Sequence, residues 1–302
     1  MKMLTLPGRK ARLIPALMLL AAGSAFAGEQ VDQRLAASAR GSVEIGNVAG
    51  TVAVRGTQKN EVHVTGDLSE DARLEFSVDG EHTIVKVMLP KHSMHNGSSD
   101  ISVEIPTGSA LTVSTVSADT SVEDVRGALD LQTVSGNIET QTYDEDAKLR
   151  SVSGDIAARG NGGNGGNAVL TLVTVSGNAD VKNAGGETNV QSVSGNLNLH
   201  QNRVARSRLR TTSGDITLHG ELAKDARVEG ESVSGDVNFY LAGTRDGDYD
   251  LATATGDITN CFGPEPVEHK YGPGMELKFR QGSSTATLRA RTLSGDISLC
   301  KD

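Results

Sequence analysis

Tryptophan is absent, and five Phe and four Tyr are the only aromatic residues among 302. A large globular interior is normally filled by rings, so this chain must build its core from small, stacked side chains. Cysteine is almost missing as well. The two present, Cys261 and Cys300, form no C-x-x-C motif, which leaves no framework for a zinc ribbon or a dithiol redox centre. Positive charge is short: 29 Lys plus Arg stand against 38 Asp plus Glu, a net charge of −9. A phosphodiester backbone demands a basic surface, so nucleic acid is excluded as the expected partner. No nucleophile motif, phosphate loop or dinucleotide fingerprint occurs; the Gly-rich stretch 160–167 lacks the Lys and helix that a phosphate loop needs.

Long apolar runs are missing too, apart from Leu13 to Ala22 near the start. Lys2, Arg9, Lys10 and Arg12 precede that run, and Ala25-Phe26-Ala27 follows it with small residues where a signal peptidase cuts. Residues 1–27 therefore read as a signal peptide, too short to span a bilayer, and no other segment reaches the length of about 20 residues that a membrane helix needs. Loss of four basic residues with the leader takes the net charge from −9 to about −13. The expectation is an exported chain, periplasmic or at the cell surface, with no membrane span after cleavage. Its cysteines would then meet an oxidising compartment.

What the chain has in abundance is one phrase, [TS]-x-[ST]-G-[DN]. Eight copies place their glycines at 136, 154, 177, 195, 214, 235, 256 and 295, and Thr115-Val-Ser-Ala-Asp119 leads them as a degenerate ninth. Self-similarity at about 20 residues marks a solenoid, whose units bury their apolar faces only on their neighbours. Val, Ile, Thr and Leu flank each phrase, and the second residue after the glycine is aliphatic in Ile138, Ile156, Leu197, Ile216, Val237, Ile258 and Ile297. That is the parity of a strand with one buried face. Before the glycine, aliphatics fall five back (Leu131, Leu149, Leu172, Val190, Leu209, Leu251) and two back (Val134, Val152, Val175, Val193, Val233, Leu293). A three-residue interval cannot belong to one flat strand, so a bend is expected between them, with Gly and Asn or Asp forming the corner.

The fold class is accordingly all-β: a β-solenoid of about nine coils of 18–21 residues over 111–302, preceded by a strand-rich cap over 28–110 that covers its open edge. A tandem hairpin sandwich is the competing arrangement. Within 28–110, residues 42–45, 51–54, 61–64, 74–78, 83–87 and 101–105 read as strands, with a turn at Val78-Asp-Gly-Glu81.

Cys261 and Cys300 each follow a repeat glycine by five residues, which puts them on one side of stacked coils and makes a structural disulfide the expected pairing if those coils are neighbours. The Asp and Asn after each glycine do not follow the glycine-paired nonapeptide of calcium β-rolls and read as bend residues. His82, His92 and His95, with Met94, lack metal-ligand spacing and read as a solvated loop. Polysaccharide cleavage needs two carboxyls at set separation, and no pair stands out among the acidic residues. Six of the aromatics (Phe239, Tyr240, Tyr249, Phe262, Tyr271, Phe279) fall late and are expected to close the C-terminal core. No catalytic, cofactor-binding or metal-ligating residue is assigned.

The phrase Thr-Val-Ser-Gly-Asp/Asn-Ile at this period resembles the bacterial putative-adhesin family, exported β-strand-repeat proteins of unknown function. Asn260-Cys-Phe-Gly-Pro264, Tyr271-Gly-Pro-Gly274 and the closing Thr292-Leu-Ser-Gly-Asp-Ile-Ser-Leu-Cys300 resemble the C-terminal signature of its envelope-associated members. The resemblance covers residue 40 to the end, implies a β-solenoid at the envelope or surface, and carries over no catalytic residue. The functional expectation is a non-enzymatic, adhesin-like binding or scaffold protein that takes an envelope protein or glycan. The alternatives are a polysaccharide-active β-helix enzyme and a structural protein that polymerises end to end.

Overall fold

The computed structural model describes residues 28–89, 97–161, 167–268 and 273–302. The expected leader 1–27, the residues His92, Met94, His95 and Tyr271, and most of the Gly/Asn stretch 160–167 lie outside the described residues.

Period-two sequences with β-branched residues give strands throughout. The first seven are β1 (Gly28–Ala36), β2 (Ser42–Thr57), β3 (Glu61–Ser69), β4 (Arg73–Asp79), β5 (His82–Met88), β6 (Ser99–Pro106) and β7 (Ala110–Glu123). Then come β8 (Leu129–Thr133), β9 (Ile138–Thr142), β10 (Ala147–Ser151), β11 (Ile156–Gly160), β12 (Val169–Thr174), β13 (Ala179–Lys182), β14 (Glu187–Gln191), β15 (Leu197–Ser213) and β16 (Ile216–Ser234). The chain closes with β17 (Val237–Ala242), β18 (Gly247–Thr255), β19 (Ile258–Asn260), β20 (Val267–Glu268), β21 (Met275–Gln281), β22 (Thr287–Ser294) and β23 (Ile297–Lys301).

They stack in two parallel columns. The first runs β5, β2, β7, β8, β10, β12, β14, β15, β16, β22, β18. The second runs β6, β2, β7, β9, β11, β13, β15, β16, β17, β23, β19. The four long strands β2, β7, β15 and β16 serve both columns, one with each half. In the middle of the molecule the phrase Thr133-Val-Ser-Gly-Asn137 and its copies carry the chain from one column to the other, over a bend of three residues.

Spatial order follows chain order only in the middle. At one end β2 lies between the β5–β6 rung and β7; at the other, β22 and β23 lie between the β16–β17 rung and the β18–β19 rung. The last segment of the chain is thus inserted one layer in. Antiparallel strands then cover the outer rungs: β4 on β5, β3 on β6 with β1 beyond it, and β21 on β18 with β20 beyond it. β21 exposes Lys278 and Arg280 at this end. Charged edge strands resist pairing with another chain.

Side chains at matched positions pile up between the columns. Val113, Leu131, Leu149, Leu172, Val190 and Leu209 form one buried stack, and Ile138, Ile156, Ala179, Leu197, Ile216 and Val237 face it from the second column. The first stack is interrupted at Gly230. A Cβ there would meet the ring of Phe239 at 3.0 Å and Val237 at 3.1 Å, so the missing side chain makes room for a buried ring.

The all-β class expected from the sequence holds. The expected count of nine coils follows the phrase alone, whereas β2 and the β5–β6 pair are ladder rungs without it. Parallel stacking therefore begins within 28–110, in addition to the antiparallel covering there. All six strand segments read from that region fall within β2 to β6, and Gly80 makes the expected turn between β4 and β5 with φ 60°.

Candidate functional site

Each residue of the repeated phrase has a separate physical task at the bend. The leading Thr or Ser is buried, and its hydroxyl oxygen accepts the N–H of the glycine three residues on: Gly136 N to Thr133 Oγ1 at 3.0 Å, Gly154 N to Ser151 Oγ at 2.8 Å, Gly177 N to Thr174 Oγ1 at 3.0 Å. In later rungs the hydroxyl donates to the glycine carbonyl of the neighbouring rung, as Thr253 does to Gly295 at 2.8 Å and Thr292 to Gly235 at 3.1 Å. The glycine is obligatory for space: a Cβ on Gly154 would land on the carbonyl oxygen of Gly136, and one on Gly177 on that of Gly154.

The Asp or Asn that follows is an acceptor for the next rung. Its Oδ1 takes the backbone N–H of its counterpart in an unbroken series: Asp119 from Asn137 (2.8 Å), Asn137 from Asp155 (3.0 Å), Asp155 from Asn178 (2.7 Å), Asn178 from Asn196 (3.0 Å) and Asn196 from Asp215 (2.9 Å). Asp215 then accepts from Asp236 (2.9 Å), Asp236 from Asp296 (2.8 Å) and Asp296 from Asp257 (2.8 Å). These residues do serve the bend, and the ladder they form is stronger than a lone turn because each bond ties one rung to the next.

Between the hydroxyl and the glycine sits an apolar residue that points outward. Val116, Val134, Val152, Val175, Val193, Val233 and Leu293 are 42–58% exposed, which makes them a minority among the large aliphatics of this chain. Chain parity explains it. The bend consumes three residues, so the aliphatic two before each glycine falls outside while the one five before it stays inside. Thr212 and Ala254 fill the same place in two rungs. Rungs repeat at about 4.8 Å, so the stripe runs for roughly 40 Å along one edge. An exposed serine or threonine column and the Asp/Asn column lie beside it. From Val116 to Val193 the exposed apolar residues run unbroken over five rungs.

A shallow groove of about 420 Å³ adjoins this edge on the second column, lined by Asn137, Glu139, Asp155, Asn178, Asp180, Asn196 and Asn198 among others. It offers amides and carboxylates without a ring.

The other residues singled out in the sequence are placed as follows. Cys261 and Cys300 are joined, with Cα atoms 4.8 Å apart, across the neighbouring rungs of β19 and β23. His82 stands in strand β5 instead of a loop, its Nδ1 2.8 Å from Ser42 Oγ and its Nε2 3.5 Å from Glu44. Among the described residues no group of three or more His, Cys, Asp or Glu is arranged to hold a metal ion. No helix among them is long and apolar enough to cross a membrane.

Of the late aromatics, Phe239 and Tyr249 are buried, and Phe262 and Phe279 pack against the core; Tyr249 stacks on Phe279 at 4.6 Å. Burial pushes the Tyr249 hydroxyl upward in pKa while it donates to the Arg245 carbonyl at 2.7 Å. Tyr240 faces outward and extends a stack with His219 and His200, each ring 4.6 Å from the next. That stack is legible only once the rungs are aligned, because the three residues are separated by 19 and 21 positions.

The Asp ladder yields a prediction with two signs at one position. Asp236 sits between Asp215 and Asp296 in a run of carboxylates. Asp236→Asn keeps the acceptor and removes a like charge, and should raise stability by about 0.5 kcal/mol in low salt, an effect that fades near 1 M. Asp236→Ala leaves the Asp296 N–H without its acceptor and should lower stability by about 1–2 kcal/mol at any salt. Urea unfolding of both variants at two ionic strengths checks this.

No curated protein matches the chain. Among solved structures it is similar to a putative adhesin from Bacteroides fragilis (12% identity, 89% of this chain and 96% of that one, TM-score 0.43). It is similar also to a putative adhesin from Parabacteroides distasonis (10% identity, 90% and 98%, TM-score 0.47) and to a putative lipid binding protein from the same organism (13% identity, 89% and 96%, TM-score 0.46). The model of the family described as Toastrack DUF4097 matches residues 29–300, nearly the whole of the described chain. The chain belongs to the Toastrack DUF4097 family.

Proposed function

We propose that this protein is a non-enzymatic, exported, adhesin-like binding scaffold of the bacterial cell envelope. On this reading the two parallel columns are the walls of a β-solenoid whose coils, 18–21 residues long in the regular part, each present one copy of the bend edge. Residues 28–110 close one end. The observation that carries the proposal is the edge itself: a repeated file of half-exposed valine, exposed hydroxyl and exposed Asp or Asn, in register over most of the molecule. Such an edge can engage an extended partner at many weak points, which suits an envelope protein or glycan. The leader-like start and the disulfide favour a compartment outside the cytoplasm, periplasmic or at the surface. Antiparallel strands over the outer rungs count against end-to-end polymerisation.

The test is co-sedimentation of the purified protein with isolated envelope material, taking peptidoglycan sacculi and outer-membrane vesicles separately. A variant with Val134, Val152, Val175 and Val193 all changed to Ser should lose at least about 1.4 kcal/mol of binding, tenfold in affinity, on the fraction that retains the native protein. Its stability should fall by no more than about 2 kcal/mol in all, because half-exposed sites contribute within about 0.5 kcal/mol each. Equal binding by native and variant protein, or none by either, refutes the proposal.

A further inference from the structure

The outer face of the first column carries a feature that the bend edge does not explain. From Gln201 to Gly214 the sequence holds Arg203, Arg206, Arg208 and Arg210 without a single carboxylate, inside a chain whose acidic residues outnumber its basic ones. Strand alternation buries Ser207, Leu209 and Thr211 and turns Arg206, Arg208 and Arg210 outward. Register then lines Arg206 against Arg227 on the next rung, and Arg208 against Glu229, with Arg289 beyond it. The result is a groove of about 420 Å³ whose lining includes Arg206, Arg208, Arg227, Arg289, Asn189 and Thr287.

Elsewhere on these columns an arginine faces a carboxylate: Arg150 with Asp130 at 2.9 Å, Arg159 with Glu139 at 3.3 Å, Arg291 with Asp250 at 2.7 Å. In the groove the balance fails. Glu229 is taken by Arg208 at 2.7 Å, and Glu231 by Arg210 at 2.8 Å. The other lining carboxylate, Glu187, stands opposite Arg206 in register on β14 but forms no ion pair with it, its Oε1 accepting the Asn189 amide at 3.0 Å. Among the described residues no ion pair joins Arg206, Arg227 or Arg289 to a carboxylate, and the first two are like charges on adjacent rungs. Like charges directly opposite one another destabilise a sheet. Retaining them fits a site where a bound anion supplies the missing negative charge.

We propose that this groove binds a phosphate-bearing anion. Guanidinium forks meet phosphate oxygens bidentately, and a tetrahedral group with several acceptor oxygens can use more than one fork together with the Thr287 hydroxyl and the Asn189 amide. The lining has no ring on which a base could stack and no deep apolar recess for an acyl chain, so recognition rests on the anionic group. A membrane headgroup and a soluble phosphorylated solute share that chemistry. The groove lies on a sheet face away from the valine edge, and its role is independent of what that edge holds.

Calorimetric titration of the protein with sodium pyrophosphate at low ionic strength is the direct experiment. Saturable binding is expected, weakened about tenfold or more by Arg206→Gln and by Arg227→Gln, and unchanged by Arg159→Gln on the second column. Without ligand, Arg227→Gln should unfold about 1–3 °C above the native protein, since it removes a like-charge contact. That gain marks the arginine as kept for binding and not for folding. Flotation with vesicles containing one third phosphatidylglycerol separates the sources: vesicle binding lost in the same two variants assigns the headgroup, and pyrophosphate binding alone assigns a soluble ligand. Absence of saturable binding in both assays, or equal weakening by Arg159→Gln, overturns the proposal.

Discussion

Replacing Gly154 by alanine is expected to destabilise the protein by about 3–5 kcal/mol. The new Cβ would occupy the position of the Gly136 carbonyl oxygen, which is backbone and cannot rotate aside. The two rungs would have to separate. That displacement strains the Ser153 N to Val134 O bond at 2.9 Å and the Asp155 N to Asn137 Oδ1 bond at 3.0 Å, which flank the glycine. Neighbouring rungs repeat the constraint, so strain at Gly154 passes to Gly177, whose own Cβ position is the Gly154 carbonyl. The control is Gly80→Ala. Gly80 adopts φ +60° but has nothing within 4 Å of its Cβ position, so only the left-handed penalty applies, about 1–2 kcal/mol. Denaturant unfolding of the two variants should separate them by about 1–4 kcal/mol; equal losses would show that backbone conformation, and not the stacking of rungs, demands glycine at the bend.

The second large effect belongs to the disulfide. Changing Cys261 and Cys300 together to serine opens a crosslink between residues 39 apart, and on the chain-entropy model should lower stability by about 3–4 kcal/mol. The loss should be concentrated at one end. β19 has three residues, pairs with β23 alone, and is the outermost rung of the second column. The bridge holds it against the inserted β23 and thereby holds the whole excursion of β20 and β21 on the first column. Hydrogen exchange of the double variant should show faster exchange from 247 to 302 with protection retained in β8 to β14. Uniform loss of protection throughout would mean that the columns unfold as one unit.

Much of this was legible in the residues. The phrase fixed the bend, period two fixed the buried face, and the equal offset of Cys261 and Cys300 from their glycines pointed to the bridge. The inward tasks of Thr133 or Ser151 follow from the same logic, since a hydroxyl is the smallest group that can serve both its own bend and the rung below. What could not be read was the order of rungs at the ends. Each rung offers nearly the same face, aliphatic, aliphatic, hydroxyl, bend, so β16 can accept β22 as readily as it can accept β18. Connection length decides, together with the antiparallel β21, which needs β18 as an outer edge to pair with. The outward valines were legible as a series, but not as a surface, because the width of the bend sets their parity. Arg206 and Arg227 were visible as charges; their proximity depends on a register interrupted by irregularities between Gln201 and Arg203 and between Val204 and Arg206.

The rungs form two parallel columns in which the last segment of the chain is inserted between two earlier rungs. Ser234, Ser294 and Thr255 occupy equivalent exposed positions on β16, β22 and β18. Ser234 and Ser294 are one rung apart, about 4.8 Å, whereas Ser234 and Thr255 are two rungs apart, about 9.6 Å. Paired cysteines at these positions, with the native disulfide closed, can be challenged with a bis-thiol reagent that reaches across one rung only, and the products mapped by mass. Efficient cross-linking of 234 to 294 and of 294 to 255 is expected, and none of 234 to 255. Cross-linking of 234 to 255 in place of 234 to 294 would show that the rungs stack in chain order and would contradict the insertion.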